Sequence, residues 1–101
     1  MKAIGRMKHR KAAKAVAKML RDQSGGIRVN ALYALAKLGD ASVIPAVVRA
    51  LKDEQWYVRQ IACMVLGELG AQKAKAALKK IAASDEKKAV RAAAEKALSA
   101  L

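Results

Sequence analysis

The stretch Gln55–Gly70, QWYVRQIACMVLGELG, decides how this chain folds. Wound as a helix, it places Val58, Ala62, Val65, Leu66 and Leu69 at i, i+4, i+7, i+8 and i+11, a single apolar stripe. Tyr57, Ile61 and Met64 make a second apolar stripe beside it. A helix that is apolar on more than one side is buried on more than one side, or binds something. The stretch has two other copies. Ile27-Arg28 is followed 31 residues later by Val58-Arg59, and 32 residues after that by Val90-Arg91. Leu35, Leu66 and Leu98 keep these offsets, as do Leu38, Leu69 and Leu101, and Gly39 and Gly70 close the first two copies. The chain is a repeat, and its middle copy carries the unusual residues.

Composition agrees with a helical repeat. A chain of 101 residues makes one domain with a modest core. Hydrophobic residues make up 54% of it, aromatics 3% and Phe none, so the core is expected to be Ala, Leu, Val and Ile. Alanine is the best helix former and Pro45 is the only proline, which predicts an all-α fold. Cys63 is the one cysteine, so no intramolecular disulfide forms and a reducing compartment is the simpler setting. No run of 18 apolar residues exists to insert in a membrane, and MKAIGRMKHRKAAK has no apolar core of a secretory signal. A cytoplasmic protein is expected. The net charge of +13 favours anionic partners: nucleic acid, an acidic protein surface or a membrane face. Lysine-rich helix surfaces also keep small domains soluble, so both readings of the charge stay open.

The period divides the chain into a leader, 1–8, and three units, 9–39, 40–70 and 71–101. In the leader, Ile4 and Met7 stand one period before Leu35 and Leu38, so it reads as a helical turn or as the remnant of a longer array. The first outer helix is expected from Arg10 to Asp22, packing Ala12, Ala13, Val16, Met19 and Leu20. Lys11, Lys14, Lys18 and Arg21 form a basic stripe on its other side. Ser24 and its glycines break the chain before an inner helix from Ile27 to Leu38. In the second unit Asp40 or Ser42 caps a helix whose core face is Val43, Ile44, Val47 and Leu51, with Pro45 in or near its first turn. In the third, Ala74, Ala77, Leu78 and Ile81 face inward, followed by a helix packing Val90, Ala94, Ala97, Leu98 and Leu101.

Asp22, Asp53 and Asp85 each precede an arginine by six residues: Arg28, Arg59 and Arg91. A catalytic pair would occur once, whereas this one occurs in every unit. It therefore belongs to stacking: the aspartate satisfies helix-start N–H groups, and the arginine pairs with an aspartate of its own or a neighbouring unit.

Val58-Arg59…Leu66-Gly67-Glu68-Leu69-Gly70 resembles the inner helix of HEAT-like repeats of the phycobilisome-lyase type, and GDASVIPAVVRALKDE resembles the outer helix and loop of the same repeat. The resemblance covers residues 9–101 and departs from the pattern in the end units: Lys14 replaces the proline and His9 the Asp40 residue in the first, while Ser99 stands at the Gly67 position of the third. It implies an α-solenoid of three two-helix repeats whose inner helices line a concave binding face. Carried over position by position, that face is Val29, Asn30, Tyr33 and Lys37; Trp56, Tyr57, Gln60, Ile61, Met64 and Glu68; and Lys88, Ala92, Ala93 and Lys96. All three aromatics of the chain fall there, and Trp, Tyr and Met suit binding surfaces. The competing reading has Trp56 and Tyr57 filling space opposite Gly25 and Gly26.

These residues point to a binding scaffold without catalysis. One histidine and one cysteine assemble no triad, metal site or cofactor site, and Cys63 matches a packing position, Leu32. The expected partner is a protein or peptide of acidic character, gripped by Trp56, Tyr57, Tyr33, Ile61 and Met64, with Lys37, Lys88 and Lys96 selecting its charge. An alternative is sequence-independent nucleic-acid binding by a basic column on the outer helices. Lys18, Arg49 and Lys80 lie 31 residues apart there, joined by Lys11, Lys14 and Lys73. A third reading is an accessory subunit whose partner supplies the chemistry. The last inner helix has no following unit over Leu98 and Leu101, which predicts end-to-end self-association or origin in a longer chain.

Overall fold

Several helices begin or end where a particular side chain or glycine settles free backbone groups. The computed structural model describes the backbone of residues 2–101 and the side chains of residues 10–101. Helix α1 is Lys2–Lys18, continued by a 3-10 turn, Met19–Arg21; α2 is Gly25–Leu38. A 3-10 turn, Ala41–Val43, leads into α3, Ile44–Ala50, followed by α4, Trp56–Glu68. The turn Gln72–Ala74 leads into α5, Lys75–Ser84, and α6 is Lys88–Ser99. Ser24 caps α2, accepting the Ile27 N–H, and Asp40 accepts the Ser42 N–H at 2.8 Å. Pro45 lies in the first turn of α3, where a missing N–H leaves no partner unmet. Gly70, at φ 63, ends α4: its N–H donates to the Gly67 carbonyl and the Ala71 N–H to that of Leu66. This paired closure needs a left-handed residue, which an L side chain rarely adopts. No helix among the described residues is long and apolar enough to cross a membrane.

Consecutive helices pack as antiparallel pairs, α1 on α2, α3 on α4 and α5 on α6, and the pairs stack through α2 on α4 and α4 on α6. The outer helices approach one another less closely. A cleft of about 530 Å³ remains between α3 and α5, lined by Val48, Leu51, Ala77 and Ile81 among others. Close inner helices and splayed outer ones bend the stack, with α2, α4 and α6 on its inside: an all-α solenoid. Helix α4 is held on both flanks, and Val58, Arg59, Ala62, Cys63, Val65 and Leu66 are all buried on it. Its approach to α6 is tightest at Gly67, where an added Cβ would lie 3.1 Å from the Ala97 Cα. Leu32, Leu35, Leu66 and Leu78 are the largest fully buried side chains.

The first outer helix departs from expectation. Its inward stripe is the buried Ala13 with the partly buried Val16, Ala17 and Leu20, at i, i+3, i+4 and i+7, whereas Ala12 is exposed and Met19 is 48% exposed. Ala12 lies about 100° round the helix from Ala13, and Met19, six residues on, lies on the same outward side at about 120°. Residues 2–9 continue the backbone of α1, and the packing expected of Ile4 and Met7 lies outside the described side chains.

The aspartate–arginine ladder joins one pair to the next. Arg28 donates from Nε and Nη2 to the two carboxylate oxygens of Asp53, at 2.8 and 3.0 Å, and Arg59 grips Asp85 the same way at 2.8 and 3.3 Å. The third nitrogen reaches back to its own loop: Arg28 Nη1 to the Asp22 carbonyl, 2.7 Å, and Arg59 Nη1 to that of Asp53, 2.8 Å. Each aspartate also accepts the N–H two residues on, from Ser24, Gln55 or Lys87. Arg28 and Arg59 are buried, at 7% and 9% exposure, and the hydrogen bond to Asp53 raises the Arg28 pKa further. Burial pushes the Asp85 carboxyl up, but the Arg59 guanidinium and the Lys87 N–H outweigh it and hold the pKa below the ordinary value.

Truncation of Arg59 to alanine leaves Asp85 buried without its counter-charge, and a loss of about 3–5 kcal/mol is expected in chemical denaturation; a loss under about 1 kcal/mol, typical of a surface pair, would remove the ladder from this role. The pH dependence has a definite sign. Asp85 has a lower pKa folded than unfolded, so its contribution is complete above the unfolded value, about 3.9, and disappears as pH falls through the folded one. Urea midpoints should drop in that window for the native chain, and Asp85→Asn should flatten the drop.

Candidate functional site

The repeat offsets align the inner faces of α2, α4 and α6 position by position. Tyr33, Met64 and Lys96 share one position; Asn30, Ile61 and Ala93 share the next; Val29, Gln60 and Ala92 a third. Trp56 and Tyr57 stand where α2 has Gly25 and Gly26, so at these two positions aromatic bulk enters in the middle repeat alone. All three aromatics are exposed: Tyr33 by 45%, Trp56 by 39% and Tyr57 by 36%. An aromatic side chain ordinarily buries most of its surface, so this clustering on one face is informative.

The predicted residues separate into two groups. Gln60, Ile61, Met64 and Lys96 line a groove of about 610 Å³ between α4 and α6, together with Glu68, Gly67, Ala92 and Ala93. The groove exists because the α6 side of it is lined mainly by alanines, Ala92, Ala93 and Ala97 among them, opposite Ile61 and Met64 of α4, both half-buried. Glu68 and Lys96 give it one carboxylate and one ammonium. Trp56 and Tyr57 form the second group, edge to face with ring centroids 6.0 Å apart, outside the groove lining. Lys87 Nζ lies 5.7 Å from the Trp56 ring centre, a cation–π contact. Tyr33, Lys37 and Lys88 are exposed and line neither group. The Tyr57 hydroxyl lies over Gly25, where an added Cβ would strike it. Tyr57 thus fills space against α2 while leaving a third of its surface to solvent, so the two readings of this residue are not exclusive.

Lys87 escaped the sequence reading because it lies in the loop, longer by one residue than its counterparts, ahead of α6. Its signal was its neighbourhood: two lysines beside the helix start next in the stack to Trp56. Ala97 is expected in the core and Ala89 and Ala100 are absent from the expected face, yet all three line the groove.

On the outer face, Lys11, Lys14, Lys18, Arg49, Lys73 and Lys80 are all exposed, and none forms an ion pair among the described residues. Lys80 and Lys52 border the outer cleft, which Asp85 and Glu86 also line, so its charge is mixed.

Cys63 is fully buried, and its desolvation, with the charge of Asp85 adding, pushes the thiol up to about 12. Such a thiol carries almost no thiolate at neutral pH and is a packing residue. A thiol-specific reagent should leave Cys63 unmodified in the folded protein at neutral pH and react fully in denaturant; rapid modification of the native chain would contradict this burial.

A family model described as HEAT repeats matches residues 1–51 and 13–99 of this sequence. The chain is also similar to phycocyanobilin lyase subunit alpha of Synechocystis sp., 51% identical over 41 residues. That match spans 39% of this chain and 15% of the relative, far short of the relative's length.

Proposed function

The chain belongs to the HEAT repeat family, and on that premise we propose that it is a non-catalytic binding scaffold built of the units 9–39, 40–70 and 71–101. Its inner face takes an apolar, acidic segment of a partner protein or a peptide. The observation that carries this reading is the groove between α4 and α6, floored by Ile61 and Met64, with the exposed Trp56 and Tyr57 on the same helix outside its lining. Its width of alanines along α6 suits a side-chain ridge of an incoming helix or strand. Lys96 in its lining, with the exposed Lys37, Lys87 and Lys88 elsewhere on the chain, favours a partner with carboxylates flanking its apolar residues. A cytoplasmic setting goes with the single cysteine.

The relative's name is that of a lyase subunit, which supports one specific form of the scaffold: an accessory subunit in which the partner supplies the chemistry. The buried, protonated Cys63 fits a packing role and offers no nucleophile to such a reaction. A second reading, nucleic-acid binding through Lys11, Lys14, Lys18, Arg49, Lys73 and Lys80, is favoured by their exposure without ion pairs and by the net charge of +13.

Fluorescence of Trp56 and anisotropy of labelled ligands separate these readings in one titration series. Against a library of amphipathic peptides with acidic flanks, binding should perturb Trp56. Trp56→Ala and Ile61→Ala, followed by anisotropy, should each weaken it about tenfold or more while the helical circular dichroism is retained. Equal affinity in both variants would remove the inner face as the site. Against a mixed DNA duplex, affinity that falls steeply with salt and leaves Trp56 undisturbed would favour the outer face instead.

A further inference from the structure

Every interior joint of the stack is made alike. An arginine on the first turn of one inner helix enters the aspartate loop of the following pair: Arg28 to Asp53, and Arg59 to Asp85. At the two ends of the described stack, one half of this joint stands open. Asp22 accepts the Ser24 N–H as its counterparts accept theirs, but no arginine side chain meets its carboxylate among the described residues. It is exposed, whereas Asp53 and Asp85 are partly covered. Arg91 donates from Nη1 to the Asp85 carbonyl, repeating the back-contact of Arg28 and Arg59, yet no carboxylate side chain meets its guanidinium among the described residues.

The apolar positions divide the same way. Ile27 is 36% exposed, while its counterparts Val58 and Val90 are 0% exposed. Leu98 is partly exposed, while Leu35 and Leu66 are 0% exposed. One end therefore offers a carboxylate and an exposed isoleucine, and the other an arginine and a partly exposed leucine. These are the two halves of the joint that the interior makes twice.

We propose that copies of this chain associate head to tail, Arg91 of one copy gripping Asp22 of the next as Arg59 grips Asp85. The contact joins unlike patches on identical chains, so it propagates the solenoid rather than closing a two-fold dimer. It uses the ends of the stack and leaves the inner face free, so it stands apart from the ligand-binding reading above. The charge of +13 on each copy opposes the contact from a distance, while the dehydrated Arg91–Asp22 pair is screened little. Association therefore strengthens as moderate salt is added, the opposite of what a surface-charge contact shows.

Sedimentation velocity over a wide range of protein concentration, at about 50 mM and about 300 mM salt, tests this with the whole chain. The expected result is a mass that grows with concentration, more so at the higher salt. Asp22→Arg and Arg91→Asp should each weaken association about tenfold or more, and the double exchange should restore it, since it swaps the two halves. Arg91 also touches the Asp85 loop, so Ile27→Lys, at an exposed position, provides a variant that leaves the interior ladder intact; it too should weaken association, with circular dichroism and melting unchanged. A chain that stays monomeric at every concentration and both salts overturns the proposal and leaves the ends to a different protein. Association undiminished by Asp22→Arg and by Ile27→Lys overturns it as well.

Discussion

The two-pronged grip of an arginine in one helix pair on an aspartate in the next is the constraint on which the other features depend. Apolar contact alone would hold the pairs together without saying where. Helix α4 meets α6 through Gly67 and Ala97, and small side chains of this kind permit close approach while offering little resistance to sliding. The guanidinium removes that freedom. Its Nε and Nη2 fit one carboxylate, its Nη1 fits one carbonyl of its own loop, and a shift by a turn would leave a buried charge unmet. Because the same aspartate also accepts the N–H at the start of the following helix, one residue sets the loop, the helix start and the register together.

From that register comes the inner face. With α4 clamped between α2 and α6, its main apolar stripe is consumed in packing. The second stripe, Tyr57, Ile61 and Met64, has only the open side left. On one flank the space beside it is filled, since the Tyr57 hydroxyl settles over Gly25 of α2. On the other flank α6 supplies alanines, and the space remains as the groove. The asymmetry between the flanks follows from one difference in composition: large residues on α4 face glycine on one side and alanine on the other.

The helix pairs, their caps and the ladder were legible in the sequence because each repeats. Ser24, Pro45 and Gly70 act where local backbone chemistry needs them, and Arg28 and Arg59 lie in register with their aspartates. Other features were not legible, for a physical reason. Helical period gives the angle at which a side chain leaves the axis but not how closely the neighbouring element stands. Ala12 and Ala13 are adjacent and chemically the same, yet only Ala13 is buried, because the α1 axis turns one of them toward α2. The separation of Trp56 and Tyr57 from the groove, and the placing of Lys87 over the indole, depend on loop length and side-chain direction, which spacing does not encode.

The distribution of charge separates what the two faces can do. Lys11, Lys14, Lys18, Arg49, Lys73 and Lys80 on the outer face are exposed without ion pairs among the described residues, with Asp85 and Glu86 lining the cleft beside Lys80, so that face acts through a field that reaches several ångströms and fades with salt. The groove holds one carboxylate and one ammonium around an apolar floor. Any ligand seated there gains chiefly from removing Ile61 and Met64 from water, a short-range contribution that salt does not weaken. The excess of positive charge therefore does not by itself say what the inner face prefers. On the proposed binding reading it would govern approach, while the floor of the groove would govern what stays.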